Sequence, residues 1–322
     1  MKKNRLFVLP VFAALALSLA DACAATLFPV VVGGRWGFAD KSGKLVINPQ
    51  FERAEPFASG LAQVRLDKWG YVNVSGKMAV NPQFDKAGPF SDGLAAVVVS
   101  GRCGYVNPEG KYVINPQFDE AGTFTEGRAA IKLNHRFGFI DKTGKIVINP
   151  QFDDAAEFSE ELAAVEVGGR FGFISKTGKV VINPQFERAG SFSEGLAAMR
   201  MGGRWGFSDK TGKMVVNPQF EDVHSFVKGL APARLGKTWG FINPAGKFVI
   251  NPQFEDAADV SEGLAAVRTG GRWGFIDKSG KIVINPQFDE AMAFADGLAR
   301  VKLGHKTGYI NAAGKYIWNP SN

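Results

Sequence analysis

The sequence predicts an all-β protein: nine tandem units of three short antiparallel strands each, stacked as an open β-solenoid. Three observations predict it. Asn-Pro recurs at Asn48, Asn81, Asn115, Asn149, Asn183, Asn217, Asn251, Asn285 and Asn319, 33 residues apart once and 34 thereafter. β-Branched and aromatic residues fill each unit, and Gly or Pro interrupts every helix-length window, which excludes helical repeats of the same period. The array also runs from a first strand near Leu27 to a last strand at Asn319-Pro320, with whole units at both ends. Such ends suit an open stack, since a propeller usually splits one blade between its termini; a closed propeller-like ring is the alternative. The units start near residues 27, 61, 94, 128, 162, 196, 230, 264 and 298 and form one array over 25–322.

Within a unit, strand A is the run exemplified by Leu162 to Val167. Gly168-Gly169 supplies the positive φ of a tight hairpin into strand B, Arg170 to Ser175. Strand C, Lys179 to Asn183, ends at Pro184, which cannot donate to a ladder. Between B and C every unit has a turn with Asp, Asn or Ser first and Gly fourth, as in Asn107-Pro108-Glu109-Gly110. This is the signature of a type I turn closed by a left-handed Gly.

Strand B sets the repeat's most regular column. Trp36, Trp69, Phe137, Phe171, Trp205, Trp239 and Trp273 each lie two before a second aromatic, so period 2 puts both on one face. Gly37, Gly70, Gly104, Gly138, Gly172, Gly206, Gly240, Gly274 and Gly308 separate the pair, where a neighbouring backbone or ring is expected to cross too closely for a Cβ. Cys103 and Thr307 are the small residues in the first aromatic slot. A linking segment then carries two Phe six apart, such as Phe118 and Phe124, expected to plug the gap between consecutive units. Pro29 and Pro232 share one column of strand A, so the N–H there is not needed by a ladder.

The first 24 residues read as a secretory signal: a basic start at Lys2, Lys3 and Arg5, an apolar run from Leu6 to Ala20, and small residues before Ala24. Cleavage is expected after Ala24, with Ala22 as second choice and lipid anchoring through Cys23 as the alternative. The exported protein would be periplasmic or extracellular, and no later stretch is apolar enough to span a bilayer. Removing residues 1–24 leaves 35 basic and 30 acidic residues and a single cysteine, Cys103, so no internal disulfide is available.

The run Trp273 to Lys281, with the Asn-Pro-Gln-Phe and Phe-Ser-Glu-Gly-Leu-Ala segments, resembles the WG-repeat family of bacterial β-repeats over the whole mature chain. Cys103 and Thr307 depart from the pattern, and Phe137 and Phe171 depart more mildly. The resemblance implies a tandem array, often exported, with no general catalytic activity. It implies nothing about a ligand.

The chemistry-bearing residues point away from catalysis. His135, His224 and His305 fall in different columns of different units, and no CxxC, HExxH or phosphate-loop pattern occurs. Neither a cofactor nor a metal is therefore expected. Acidic pairs such as Asp153-Asp154, Glu221-Asp222 and Glu255-Asp256 repeat in one column, as a solvated ridge would and a single active site would not.

Three basic columns repeat as well. Lys111, Lys145, Lys179, Lys213, Lys247 and Lys281, with Lys44, Lys77 and Lys315, follow the turn Gly. Arg35, Arg102, Arg136, Arg170, Arg204 and Arg272 precede the aromatic slot, and Arg65, Lys132, Arg200, Arg234, Arg268 and Lys302 lie on strand A. The leading expectation is a non-enzymatic scaffold for protein partners. The alternative is an anionic glycan or envelope polymer held by basic stripes, and the third reading is an uncharacterised hydrolase. Nucleic acid is not expected, and the oligomeric state is left open.

Overall fold

The computed structural model of the chain describes residues 26–321. The export segment expected over 1–24, Cys23 included, lies outside the described residues. The described residues form nine antiparallel sheets, one per repeat, numbered here as blades 1 to 9.

Blade 5 shows the plan. Its strand A is Leu162–Val167, strand B Arg170–Ser175 and strand C Val180–Phe186. A fourth strand, Asp154–Ala155, precedes them and pairs with strand A through Asp154↔Glu166 and Ala155↔Val165. The linking segment is thus a strand itself, which corrects the expected three strands per unit to four. A two-residue turn joins it to strand A, closed by paired hydrogen bonds between Ser159 and Leu162. Both turn residues have positive φ, as at Glu126 (52°) and Gly127 (77°) in blade 4, the geometry that matches the twist of a hairpin.

The open solenoid is overturned: the blades close into a nine-bladed β-propeller. Phe28 of blade 1 stacks on Tyr309 of blade 9 with ring centroids 4.4 Å apart. The Ser321 hydroxyl donates to the Val31 carbonyl at 2.6 Å, and the Trp318 indole N–H donates to Ser321 Oγ at 2.9 Å. Phe28, Val30, Ala39, Leu298 and Tyr309 form one buried cluster across the seam. Closure removes from water the apolar side faces that the two ends of an open stack would expose.

Among the described residues the ring closes without a split blade, and blade 1 has three strands. In seven other junctions the linking Phe stacks on the strand B aromatic of the blade before it, as Phe124 does on Tyr105 at 4.7 Å and Phe192 on Phe173 at 4.8 Å. Among the described residues blade 1 has no linking strand and no such Phe for Tyr309. Its second strand A residue fills the place: Phe28 stands where the other eight blades have Ala62, Ala95, Ala129, Ala163, Ala197, Ala231, Ala265 and Ala299. Ser321 replaces a second missing contact. The carbonyl equivalent to that of Val31 is that of Lys132 in blade 4, which accepts from the Asp119 N–H. Trp318 of blade 9 packs against the same seam cluster.

The hub and the rim follow from which edges touch. Linking strands of successive blades are stitched together, with the Ser159 hydroxyl donating to the Phe192 carbonyl at 2.7 Å and the Glu126 carboxylate accepting the Glu161 N–H at 3.0 Å. Strand C ends each sheet on the other side, and its alternate residues are exposed. Blades therefore converge at the linking strands and splay at strand C. Since the strands of a blade alternate in direction, the A–B turns all lie on one face of the disc and the B–C turns on the other.

Between strands B and C the register slips. Phe171 faces Phe186 and Phe173 faces Ile182, so Asn183, Pro184 and Gln185 arch over Gly172 alone. A Cβ on Gly172 would lie 2.5 Å from the Ile182 carbonyl oxygen and 2.6 Å from the Pro184 nitrogen. The crossing group expected at this column is thus the bulged backbone of strand C, and Pro184 sits where the ladder asks for no N–H.

Candidate functional site

Two of the three basic columns are largely paired inside the fold, although Arg35 and Arg170 make no ion pair among the described residues. On the A–B turn face the cation before the aromatic slot pairs with the first acid after strand C of the same blade: Lys68 with Asp85, Arg102 with Asp119, Arg136 with Asp153, Arg204 with Glu221 and Arg272 with Asp289. The same acids cap the A–B turn, as Asp153 does by accepting the Gly168 N–H at 2.7 Å. The strand A cations are engaged as well: Lys132 with Glu120 at 2.7 Å, Lys302 with Glu290 at 2.7 Å, and Arg65, Arg200, Arg234 and Arg268 with acids at 3.6–3.9 Å. The acidic ridge is therefore the counter-charge of these two columns. Exposed pairs of this kind add about 0–1 kcal/mol each, so their main consequence is to offset much of the charge on that face.

The third column differs. All nine lysines after the turn Gly are exposed, and none makes an ion pair among the described residues. Their backbones are fixed: the Lys145 N–H donates to Asp141 Oδ1 at 3.1 Å and that of Lys111 to Asn107 Oδ1 at 2.9 Å. The turn Gly has φ between 75° and 88° in every blade and packs on strand C of the preceding blade, Gly144 against Ile114. Each lysine thus starts strand C at an equivalent point of the rim. In the turns of Asp40, Asp141, Asp209 and Asp277, a hydroxyl hydrogen bond from the residue two along, Ser42 in the first case, holds the carboxyl below its ordinary range.

Apolar residues mark the A–B turn face. The last residue of strand A is an exposed aliphatic at Val32, Leu66, Val167, Met201, Leu235 and Leu303, 36–47% accessible. These form two arcs of three consecutive blades each: blades 9, 1 and 2, and blades 5, 6 and 7. Sequence reasoning misses them, because this position reads as the tail of a strand. Its exposure follows only once the A–B turns are known to share a face. The first aromatic slot is half-buried in most blades, and Trp239 is buried, so these rings are packing groups of the blade.

The three histidines remain apart. His135 lies in an A–B turn of blade 4, in an open depression lined by Arg102, Asp119, Glu120 and Lys132. His305 lies in the A–B turn of blade 9. His224 sits at the hub, its Nδ1 3.0 Å from Asp259 of the next blade and its ring 5.1 Å from that of Trp239. Burial lowers the His224 pKa, but the Asp259 hydrogen bond and charge, with Asp222 and Asp256, outweigh it and raise the imidazole above its ordinary value. A raised folded-state pKa stabilises the protein most below the unfolded value, and the contribution is lost as pH rises through the folded one. Wild type should therefore exceed His224→Gln in melting temperature at pH 5 by more than at pH 8. A difference independent of pH contradicts the pairing. Cys103 is a buried free thiol, its Sγ 3.8 Å from the Asp119 carbonyl oxygen, and burial pushes its pKa up.

Among solved structures, the fold is similar to a eukaryotic initiation factor, with TM-score 0.66 and 12% identity over 91% of this chain and 95% of that one. It is also similar to the dihydro-heme d1 dehydrogenase NirN in complex with DHE, with TM-score 0.51 and 13% identity over 94% and 75%. At such identity the likeness shows the fold alone. No curated protein matches the chain. The model described as WG containing repeat matches eight tandem stretches, 36–68, 69–103, 104–134, 137–171, 171–205, 205–239, 239–273 and 273–306. Those matches span the ring almost end to end, and the chain belongs to the WG containing repeat family.

Proposed function

We propose that the protein is an exported, non-enzymatic scaffold that carries a protein partner on the A–B turn face of its ring. The observation that carries this reading is the pair of aliphatic arcs on that face. Each arc sets exposed apolar side chains among charged groups that are partly paired with one another, Arg35, Arg170 and Lys306 being, among the described residues, the unpaired cations beside Val32, Val167 and Leu303. An apolar centre within a polar surround is what a protein interface uses, and exposed aliphatics in a repeated pattern are more than scattered surface residues. The closed ring holds these side chains on short turns between paired strands, so little ordering is lost on docking. Export rests on the N-terminal segment, and among the described residues no helix is long and apolar enough to cross a membrane.

The test is affinity capture from cell-envelope extract with wild type and with a Val167→Asp, Met201→Asp, Leu235→Asp variant. All three positions are exposed, so the fold should survive, as circular dichroism can verify. A protein retained by wild type and lost by the variant is the expected outcome. Identical retention by both would remove the arc from the interface.

A further inference from the structure

The rim carries a second surface, independent of the A–B turn face. Strand C exposes alternate residues, and in blade 6 these are Lys213, Val215, Asn217 and Gln219. Blade 8 exposes Lys281, Val283, Asn285 and Gln287 in the same order. The lysine and asparagine recur in all nine blades, and the glutamine in all but the last. The seam interrupts the ring least at this level, since Lys315 of blade 9 and Lys44 of blade 1 occupy the same place after their turn Gly as every other rim lysine.

We infer that the rim binds a linear acidic polysaccharide laid around the circumference, with one anionic group met by the lysine of each successive blade. Three features carry the assignment. First, these lysines are the one basic column without ion pairs among the described residues, so their charge is available to a ligand. Second, nine equal positions on a ring cannot be used by a ligand with a single recognition feature, whereas a polymer with a repeating charge uses them in series, each bound group raising the effective concentration of the next. Third, each lysine stands on a strand whose exposed side carries an Asn and, in eight blades, a Gln, with an exposed Val between the lysine and the Asn in blades such as 6 and 8. The amides match sugar hydroxyls and the Val methyls match a sugar's C–H face, neither of which a bare inorganic polyanion offers.

A competing role for the same lysines is to keep unpaired strand C edges from pairing with another molecule. Charge reversal separates the two, because glutamate guards an edge as lysine does and repels an anionic polymer.

The experiment measures binding of polygalacturonate and of polyphosphate of similar charge number to three proteins by calorimetry at low and high salt. These are wild type, Lys145→Glu with Lys179→Glu and Lys213→Glu, and Arg102→Glu with Arg136→Glu and Arg272→Glu. Reversing three exposed cations at once should weaken polygalacturonate binding by roughly 10- to 100-fold in the lysine variant, while that variant keeps the fold and the oligomeric state of wild type. The arginine variant changes net charge equally and should bind nearly as wild type does. Wild type should hold polygalacturonate more tightly than polyphosphate, and longer chains more tightly than short ones. Equal losses in both variants mean attraction to net charge alone and overturn the inference. So does preference for polyphosphate, or polygalacturonate binding untouched by the lysine reversals. None of these outcomes bears on the aliphatic arcs, which lie on a different face.

Discussion

Phe28→Ala should destabilise the protein by about 3–5 kcal/mol, the range for deleting a buried phenylalanine side chain, and the effect should be concentrated at the seam. Phe28 is 7% exposed and belongs to the cluster that holds blades 1 and 9 together. Other junctions add Ser-to-carbonyl and carboxylate-to-N–H bonds between linking strands, as between Ser193 and Phe226 or Glu262 and Gly297. Among the described residues blade 1 has no linking strand to carry them, and its junction is made by the Phe28–Tyr309 stack and the Ser321–Val31 bond. Hydrogen exchange should show residues 27–32 and 316–321 opening first in the variant, with blades 4 to 6 still protected. A Phe28→Ala protein with wild-type melting and uniform protection would deny the closure role.

Gly172→Ala should cost about 3 kcal/mol, at the upper end of overpacking effects. The new methyl would sit 2.5 Å from the Ile182 carbonyl oxygen, 2.6 Å from the Pro184 nitrogen and 2.8 Å from the Asn183 carbonyl carbon. All three are backbone, so no side chain can swing aside. The bulge itself would have to move and pull Phe186 away from Phe171. Gly168→Ala is the matched comparison. It meets nothing within 4 Å at φ +59° and should cost only about 1–2 kcal/mol for its left-handed backbone. Denaturant titration of both variants checks the order. Equal costs would mean that the glycine of each Trp-Gly pair serves only its own conformation.

Much of the blade was legible in the residues. The period, strands A and B, the start of strand C, the left-handed turn Gly and the close approach at Gly172 all come from local rules, because each depends on neighbours within one hairpin; strand C runs on through Pro184 to Phe186, past the end expected at Asn183. The fourth strand was hidden by its brevity: a two-residue pairing such as Lys86–Ala87 leaves no hydrophobic alternation to detect. A signal did exist. Asp92-Gly93 and Asp296-Gly297 are tight-hairpin dipeptides placed between a Phe and a Leu.

Closure was misjudged because whole units at both ends read as an open stack. The informative residue was Phe28, the lone large side chain in a column of alanines. The charge columns were visible as columns, but their pairing was not. Arg102 meets Asp119 and Arg65 meets Glu52 only through the register of strands that sequence spacing does not supply.

The closed ring is tested most directly by spin labels at Val32 and Asn319, exposed positions on either side of the seam, with Cys23 and Cys103 replaced by serine. A closed ring predicts one short, narrow distance between the labels, at every protein concentration. A broad distribution at the span of nine stacked units would contradict it.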